Sequence, residues 1–234
     1  MKVTKISPNL TQITRFGVFN CFFVRESDGL TLIDTGLPGS VATILRAARD
    51  LTLPIRRVVL THAHGDHVGS LDGLQRQLPA AEVLMSERDA RIMRGDKTLD
   101  FEEPQSPLAG QFSICSTRPL RFVRPGDRIE SLEAIDTPGH TPGHLAFIDT
   151  RDRALIAGDA FQTRGGMAVS GVVRPLFPLP ALATWHKISA YQSALRLREA
   201  CPSILAVGHG PALHDPLAQM DAALSAALRE LTHV

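Results

Sequence analysis

The chain has 234 residues, of which 44% are hydrophobic and 21% charged, an ordinary composition for a globular protein. The net charge of +1 argues against nucleic acid or an anionic membrane as a partner, and no apolar run reaches the roughly 20 residues of a membrane span. The N-terminus lacks the apolar core of a signal peptide, and the three cysteines form no CxxC pair, so we predict a cytoplasmic protein with free, buried thiols.

The N-terminal third alternates strand and helix patterns. Residues 10–34 contain three runs rich in β-branched and aromatic residues, and Ser27-Asp28-Gly29 predicts a hairpin turn between the last two runs. Ser40 precedes apolar residues at helical spacing, and Ser86 with Asp89 forms a helix-capping pattern after a short apolar run. This alternation predicts an α/β fold built in layers, which we expect to be one domain spanning 1–234.

A cluster of ligand-type side chains follows a strand predicted at 57–60. It comprises His62, His64, Asp66 and His67. Imidazole nitrogens and carboxylate oxygens are ligands that suit zinc and similar metals. His62 and His64 are two residues apart and can face one point, whereas Asp66 and His67 lie beyond a glycine and can face a second point.

The second half again ends its predicted strands in polar residues. The turn 136–144 is rich in Pro and Gly and carries His140. Two buried strands lead into Asp159 and, further along, into His209. Glycines beside these positions permit tight turns and close approach of the backbone.

Two amphipathic helices are predicted in this half. The first follows Thr184, with one face formed by Trp185, Ile188, Gln192 and Leu195. The second begins at Asp215-Pro216, and its recurring apolar residues are Leu217, Met220, Leu224, Leu228 and Leu231.

Residues 95–119 lack periodicity and contain three prolines. A segment of this kind is either an active-site lid or a loop without function. We predict that it flanks the active site and is more mobile than the strands.

Seven candidate ligands share one kind of position, at or beside the end of a strand. They are His62, His64, Asp66, His67, His140, Asp159 and His209. In a layered α/β fold, strand ends along one edge converge on a crevice. Five histidines and two carboxylates exceed what one four-coordinate zinc uses, but they match two adjacent metals.

These motifs resemble those of the metallo-β-lactamase superfamily over roughly residues 10–212. The HxHxDH signature stands as His62-x-His64-x-Asp66-His67, and the later motifs stand as Pro138-Gly139-His140, Gly158-Asp159 and Gly208-His209-Gly210. The resemblance implies a four-layer αββα sandwich. It also implies that His62, His64 and His140 bind one metal, that Asp66, His67 and His209 bind the other, and that Asp159 bridges both.

Branches of this superfamily differ at positions that this sequence lets us compare. The β-lactamases with two zincs usually carry Cys where this chain has Asp159, and glyoxalase II adds a helical domain where only 25 residues follow His209. N-acyl-homoserine lactonases share the turn from His140 to His144 but carry tyrosine where this chain has Gln162. The stretch 158–165 is similar to persulfide dioxygenases, which use one iron.

From these observations we predict a dinuclear metal-dependent hydrolase that acts on a small molecule. Two divalent ions are expected, with zinc as the default and manganese or iron as alternatives because every ligand is N or O. A metal-bound hydroxide would attack an ester, lactone or thioester carbonyl, and Asp66 would hold a metal and receive or relay the proton. The alternatives are a one-iron oxidoreductase, a β-lactamase or phosphodiesterase type of hydrolase, and a metal-binding protein without activity. The oligomeric state stays open.

Several other side chains have two interpretations from the sequence alone. Asp34 either orients a ligand imidazole or caps a helix, and His144 either supports His140 or bonds to nearby backbone. Arg164 either holds a substrate carboxylate or points to solvent. Four apolar residues either line a substrate pocket or pack in the core: Phe161, Met167, Phe177 and Trp185. Three histidines are expected to be solvated: His186, His214 and His233.

Overall fold

The computed structural model describes residues 1–232 and forms two compact units. Unit 1 comprises Met1–Asp96 and Phe112–Val123, and unit 2 comprises Lys97–Gln111 and the described residues from Arg124 onward. The expectation of one domain over 1–234 therefore stays a prediction. Within the described range, no helix is long and apolar enough to cross a membrane.

Unit 1 contains a mixed sheet in which strand order follows chain order. Its strands, within the described residues, are β1 (Lys2–Lys5), β2 (Leu10–Arg15), β3 (Phe19–Arg25), β4 (Leu30–Ile33), β5 (Ile55–Val59), β6 (Glu82–Met85) and β7 (Arg121–Phe122). Its helices are α1 (Val41–Asp50), α2 (Gly65–Val68), α3 (Leu71–Gln77) and α4 (Glu87–Met93). Strands β1 to β4 pair antiparallel, and β4 to β7 pair parallel.

The strands predicted within 10–34, at 57–60 and in the apolar run before Ser86 are confirmed as β2 to β6, whereas β1 and β7 were not predicted. The cap predictions are confirmed in part. The hairpin turn joins β3 to β4, and Ser86 Oγ accepts a hydrogen bond from the Asp89 amide at the start of α4. Ser40 does precede α1, but its hydroxyl donates to the Leu37 carbonyl at 2.7 Å instead of capping the helix. The short helix α2, which carries Asp66 and His67, was not predicted because its four residues are too few for periodicity.

Unit 2 contains a mixed sheet of order β15-β14-β11-β10-β9-β8 and a small separate pair, β12-β13. Its strands, counted over the described residues, are β8 (Arg128–Ile129), β9 (Leu132–Asp136), β10 (Leu145–Asp149), β11 (Ala154–Ile156), β12 (Phe161–Gln162), β13 (Ala168–Val169), β14 (Ile204–Ala206) and β15 (Leu213–His214). Its helices are α5 (Leu179–Leu182), α6 (Lys187–Glu199) and α7 (Leu217–Thr232).

The predicted buried face of α6 is wrong. Ile188 is 52% exposed and Trp185 precedes the helix. The face that α6 buries is lined instead by Ala190, Ser193, Ala194 and Leu197. The small residues of α6 permit close packing against α7. The buried side chains of α7 are Met220, Ala223, Leu224 and Ala227. On α6, the largest apolar residues therefore do not mark the interface. On α7, Leu228 is likewise 46% exposed, contrary to the predicted stripe.

Parallel strand pairs set the positions of the polar residues that follow them. In unit 1, Ile33 of β4 pairs with Val59 of β5, so the residues after both strands leave the same edge of the sheet. In unit 2, Ile156 of β11 pairs with Ala206 of β14. Asp159 and His209 each follow their strand by three residues, and the Gly208 amide donates to the Gly158 carbonyl at 2.8 Å. The register therefore brings the two turns that carry these side chains next to each other.

The segment 95–119 is divided between the units. Its part from Lys97 to Gln111 belongs to unit 2, where the Trp185 indole donates to the Ser106 carbonyl at 2.8 Å. Its part from Phe112 belongs to unit 1, where Asp72 accepts hydrogen bonds from the amides of Ser116 and Thr117. Its role as a lid and its mobility stay predictions.

Asp72 holds this part of unit 1 in a way that depends on pH. Burial tends to raise the pKa of Asp72, but hydrogen bonds from Thr117 and Ser116 outweigh it and lower the pKa from 3.8 to about 2. Because the folded pKa is depressed, the stabilisation is complete above about pH 4 and is lost as the pH falls toward 2. Asp72→Asn should therefore lower the unfolding temperature at neutral pH, and the difference from wild type should narrow between pH 4 and pH 2. A difference that is constant over this range would contradict the role of the charge.

Candidate metal-binding residues in each unit

In unit 1, the loop after β5 is held by a buried carboxylate. Asp34, which follows β4, accepts hydrogen bonds from the Thr61 amide and the Thr61 hydroxyl, both at 2.8 Å. Its Oδ2 also lies 2.7 Å from Nδ1 of His67. Asp34 has φ of +59°, a left-handed conformation that Asp and Asn tolerate better than most residues. Asp34 therefore orients a candidate ligand, which agrees with the first of the two interpretations offered for it.

The orientation of His67 decides which of its nitrogens can bind a metal. Since Nδ1 faces Asp34, Nε2 is the ring nitrogen that lies toward Asp66, 3.8 Å from Asp66 Oδ2. The His67 side chain is 1% exposed, whereas that of Asp66 is 24% exposed. The two donors thus lie side by side, and only the carboxylate has substantial access to solvent.

The other two histidines of the cluster form a second pair of donors. His62 Nε2 and His64 Nδ1 are 3.1 Å apart, and both side chains are buried. Nδ1 of His62 is engaged by the Thr61 hydroxyl at 2.9 Å. Asp89, at the start of α4, accepts a hydrogen bond from the Ala63 amide at 2.8 Å and so fixes the backbone between the two histidines.

In unit 2, one carboxylate oxygen contacts two histidines. Asp159 Oδ2 lies 3.0 Å from His209 Nε2 and 3.3 Å from His140 Nε2. All three side chains are buried. His140 presents Nε2 because its Nδ1 lies 2.9 Å from the Ser170 hydroxyl and 3.3 Å from the Thr184 hydroxyl.

The donors of each unit fit a metal of the zinc type. All are nitrogen or oxygen atoms, which suits zinc, iron or manganese. Four bonds of about 2.0 Å in a tetrahedron place neighbouring donors about 3.3 Å apart, close to the separations found for His62 with His64 and for Asp159 with His140 and His209. Members of the predicted set also form groups able to hold a metal ion.

Other singled-out residues have clear environments. Phe161 is completely buried and Trp185 is 6% exposed, so both pack in the interior, while the Phe177 ring lies 5.3 Å from the His209 ring. Arg164 is exposed. His186 is half-buried and accepts a hydrogen bond from the Ser189 amide, contrary to the prediction, whereas His214 is exposed as expected. His233 lies outside the described residues.

Two of the three thiols are buried, as predicted. Burial raises the pKa of Cys21 well above its usual range and raises that of Cys115, with help from Asp72, to about 11. These thiols are therefore protonated and unreactive at neutral pH. Cys201 is exposed, which corrects the prediction; it follows α6 with φ of +46°, where the chain turns away from the helix.

Sequence reasoning missed the residues that contact the candidate ligands from distant positions in the chain. Ser170 and Thr184 are 30 and 44 residues from the His140 that they contact. Asp89 was noted only as part of a helix cap, although it also holds Ala63. A carboxylate at the start of a helix next to a strand end was the one available signal for Asp89, and no local pattern marked Ser170 or Thr184.

Comparison with known proteins places these observations in a family. The model of the metallo-beta-lactamase superfamily matches residues 14–209. The Uncharacterized protein YobT of Bacillus subtilis (strain 168) is 47% identical over 97% of this chain and 99% of its own length. The Probable metallo-hydrolase YflN of the same organism is 27% identical over 82% of this chain and 81% of its own length.

A solved structure gives the same result for the fold. The crystal structure of TTHA1623 in a di-iron-bound form is 25% identical, covers 93% of this chain and 96% of that chain, and superimposes with a TM-score of 0.62. The predicted α/β fold of the metallo-β-lactamase type is thereby confirmed. The chain belongs to the metallo-β-lactamase superfamily.

Proposed function

We propose that this protein is a dinuclear metal-dependent hydrolase that cleaves an ester, lactone or thioester bond in a small molecule. Its superfamily and the name of its relative YflN support a metal-dependent hydrolase in general terms. The observation that carries the dinuclear proposal is the contact of one Asp159 oxygen with both His140 and His209. A carboxylate between two imidazoles is suited to bridge two cations, each bound by one of them.

The proposed ligands follow the family resemblance. His62, His64 and His140 would hold one metal, Asp66, His67 and His209 would hold the other, and Asp159 would bridge them. The donor pairs within each unit agree with this division, because His62 is adjacent to His64 and Asp66 is adjacent to His67. The di-iron-bound form of TTHA1623 supports a two-metal site in a similar chain.

When bound, the metals supply Lewis acidity that makes coordinated water acidic near neutral pH and polarises a carbonyl oxygen. The protein residues hold and orient the donors. Asp34 fixes the His67 ring so that Nε2 is presented, and Ser170 does the same for His140. Asp66 is the most accessible of the carboxylates and is the proposed group that receives or relays a proton during bond cleavage.

Asp34 gives a test of this orienting role. Asp34→Asn keeps a residue that tolerates the left-handed conformation but removes the charge facing His67, so we expect a 10- to 100-fold loss of metal affinity, roughly the usual effect of losing such a partner. Competition with a chromogenic chelator measures the affinity. Asp28→Asn is the matched control, because Asp28 pairs with Arg57 at an exposed position in the same unit. Equal affinities for the Asp34 variant and the control would contradict the role.

Zinc is the proposed resident metal, with manganese and iron as alternatives that the donor set also accepts. A β-lactam substrate is disfavoured by the aspartate at position 159. Gln162 stands where the lactonases carry tyrosine, so a lactone is not favoured over the other esters. The similarity of 158–165 to the one-iron dioxygenases covers only eight residues and does not require a single iron.

The proposal is tested by two assays run side by side. Zinc- or manganese-loaded protein is given a panel of esters, lactones, thioesters, phosphodiesters and β-lactams, with and without oxygen. Iron-loaded protein is given glutathione persulfide while oxygen uptake is recorded. We expect hydrolysis of a carboxylic ester, lactone or thioester that persists without oxygen and is abolished in His209→Ala. Rapid oxygen uptake without hydrolysis of any carbonyl substrate would contradict the proposal in favour of an oxidoreductase.

A further inference from the structure

His144 is a buried histidine that the proposed chemistry does not use as a ligand. It directly precedes β10 in unit 2, and it is 1% exposed. Its two ring nitrogens make different contacts. The backbone amide of Asp159 donates to Nε2 at 3.0 Å, and Nδ1 lies 2.7 Å from the Thr137 hydroxyl oxygen.

These contacts determine where the ring carries its proton. A backbone N–H can only donate, so Nε2 of His144 is unprotonated. In a neutral imidazole the proton is then on Nδ1, which donates to the Thr137 hydroxyl. That hydroxyl lies 3.3 Å from the His144 carbonyl oxygen, to which it donates in turn. Both ring nitrogens are engaged within the protein, so neither is presented as a metal donor.

The contacts also connect the two turns that carry ligands in unit 2. The turn bearing His140 is closed at its base, where the Thr137 amide donates to the His144 carbonyl at 2.9 Å. The same residue, His144, accepts from the amide of Asp159 on the neighbouring turn. The hydrogen bond from the Asp159 amide to the His144 ring thus helps to set the position of the Asp159 carboxylate, which lies 3.3 Å from His140 Nε2.

We propose that His144 is a positioning residue that sets the Asp159 carboxylate against His140 and His209, and that Thr137 holds its ring in place by accepting from Nδ1. This proposal rests on the proposed metal site. It differs from the expectation that His144 would support His140 directly, because the hydrogen bond goes to the backbone of the bridging residue. A ring that accepts from the amide of Asp159 fixes the backbone of the ligand and leaves both carboxylate oxygens to other partners.

A matched pair of substitutions isolates the acceptor atom. The side-chain oxygen of glutamine can occupy the place of Nε2, whereas asparagine reaches only the place of Nδ1. Both replace the ring by the same amide group. Zinc affinity is measured by chelator competition, and the unfolding temperature of metal-free protein is measured for each variant. Thr137→Val is the third variant, since it removes the hydroxyl with little change of volume.

We expect His144→Asn to weaken zinc binding by 10-fold or more, as for other groups that orient ligands, and His144→Gln to restore most of it. We expect Thr137→Val to weaken binding by a smaller factor. Wild-type zinc affinity in His144→Asn would overturn the proposal. Equal losses of zinc affinity in the Asn and Gln variants, with equal falls in the unfolding temperature of metal-free protein, would overturn it in favour of simple packing. If the His144 variants do not fold, unchanged affinity in Thr137→Val would overturn it. Failure of the wild type to bind zinc would contradict the proposed function itself.

Discussion

Asp159→Ala should lose nearly all activity and part of its bound metal. The carboxylate is buried, and one of its oxygens contacts His140 and His209. In the proposed site its removal would leave two cations facing each other without a shared anion. Removing one partner of a buried charge pair costs roughly 3–5 kcal/mol, which corresponds to a roughly 200- to 5,000-fold loss of metal affinity. Metal content and the rate of hydrolysis are measured on the same preparation.

The control for this substitution is Asp149→Ala. Asp149 is also buried in unit 2, but it pairs with Arg151 and contacts no histidine of the predicted set. We expect the control to keep its metal and most of its activity even if it is less stable. An Asp159→Ala variant with full metal content and a rate near that of wild type would remove Asp159 from the site.

Asp66→Asn should lower the rate of hydrolysis by roughly 10²- to 10⁴-fold, the usual contribution of a positioned acid or base. The substitution keeps the shape of the side chain and one oxygen, but an amide cannot accept a proton near neutral pH. Asp66 is also a proposed ligand, so a lower affinity for one metal is expected as well. Rates are therefore compared at metal concentrations that saturate each variant.

Asp96→Asn provides the matched control, because Asp96 is an exposed carboxylate of unit 1 that pairs with Arg91. If Asp66→Asn and Asp96→Asn hydrolyse the substrate equally fast at saturating metal, Asp66 has no part in the proton transfer. A loss in Asp66→Asn that disappears at high metal concentration would restrict Asp66 to metal binding.

The features that could be predicted from sequence are those encoded by short stretches. The HxHxDH motif lies within six residues, and the strand patterns before Asp159 and His209 are continuous apolar runs. Local spacing was therefore enough to predict the longer buried strands and the candidate ligands, but not β1, β9 or the two-residue strands. The family resemblance supplied the division of those ligands between two metals, which spacing alone left open.

The features that sequence reasoning missed depend on contacts between distant residues. The support of His140 by Ser170 and Thr184 is created by chain folding across 30 and 44 residues. The buried face of α6 was misjudged because its partner helix selects small residues instead of large apolar ones. The interaction of His144 with the Asp159 amide likewise arises only when β10 and β11 pair.

Metal content per chain tests the central claim most directly. Protein purified without chelator is analysed for zinc, manganese and iron, before and after supplementation with zinc or manganese. Because the chain presents seven candidate ligands and one Asp159 oxygen contacts two of them, we predict about two metal ions per chain. One ion or none after supplementation would contradict the dinuclear site.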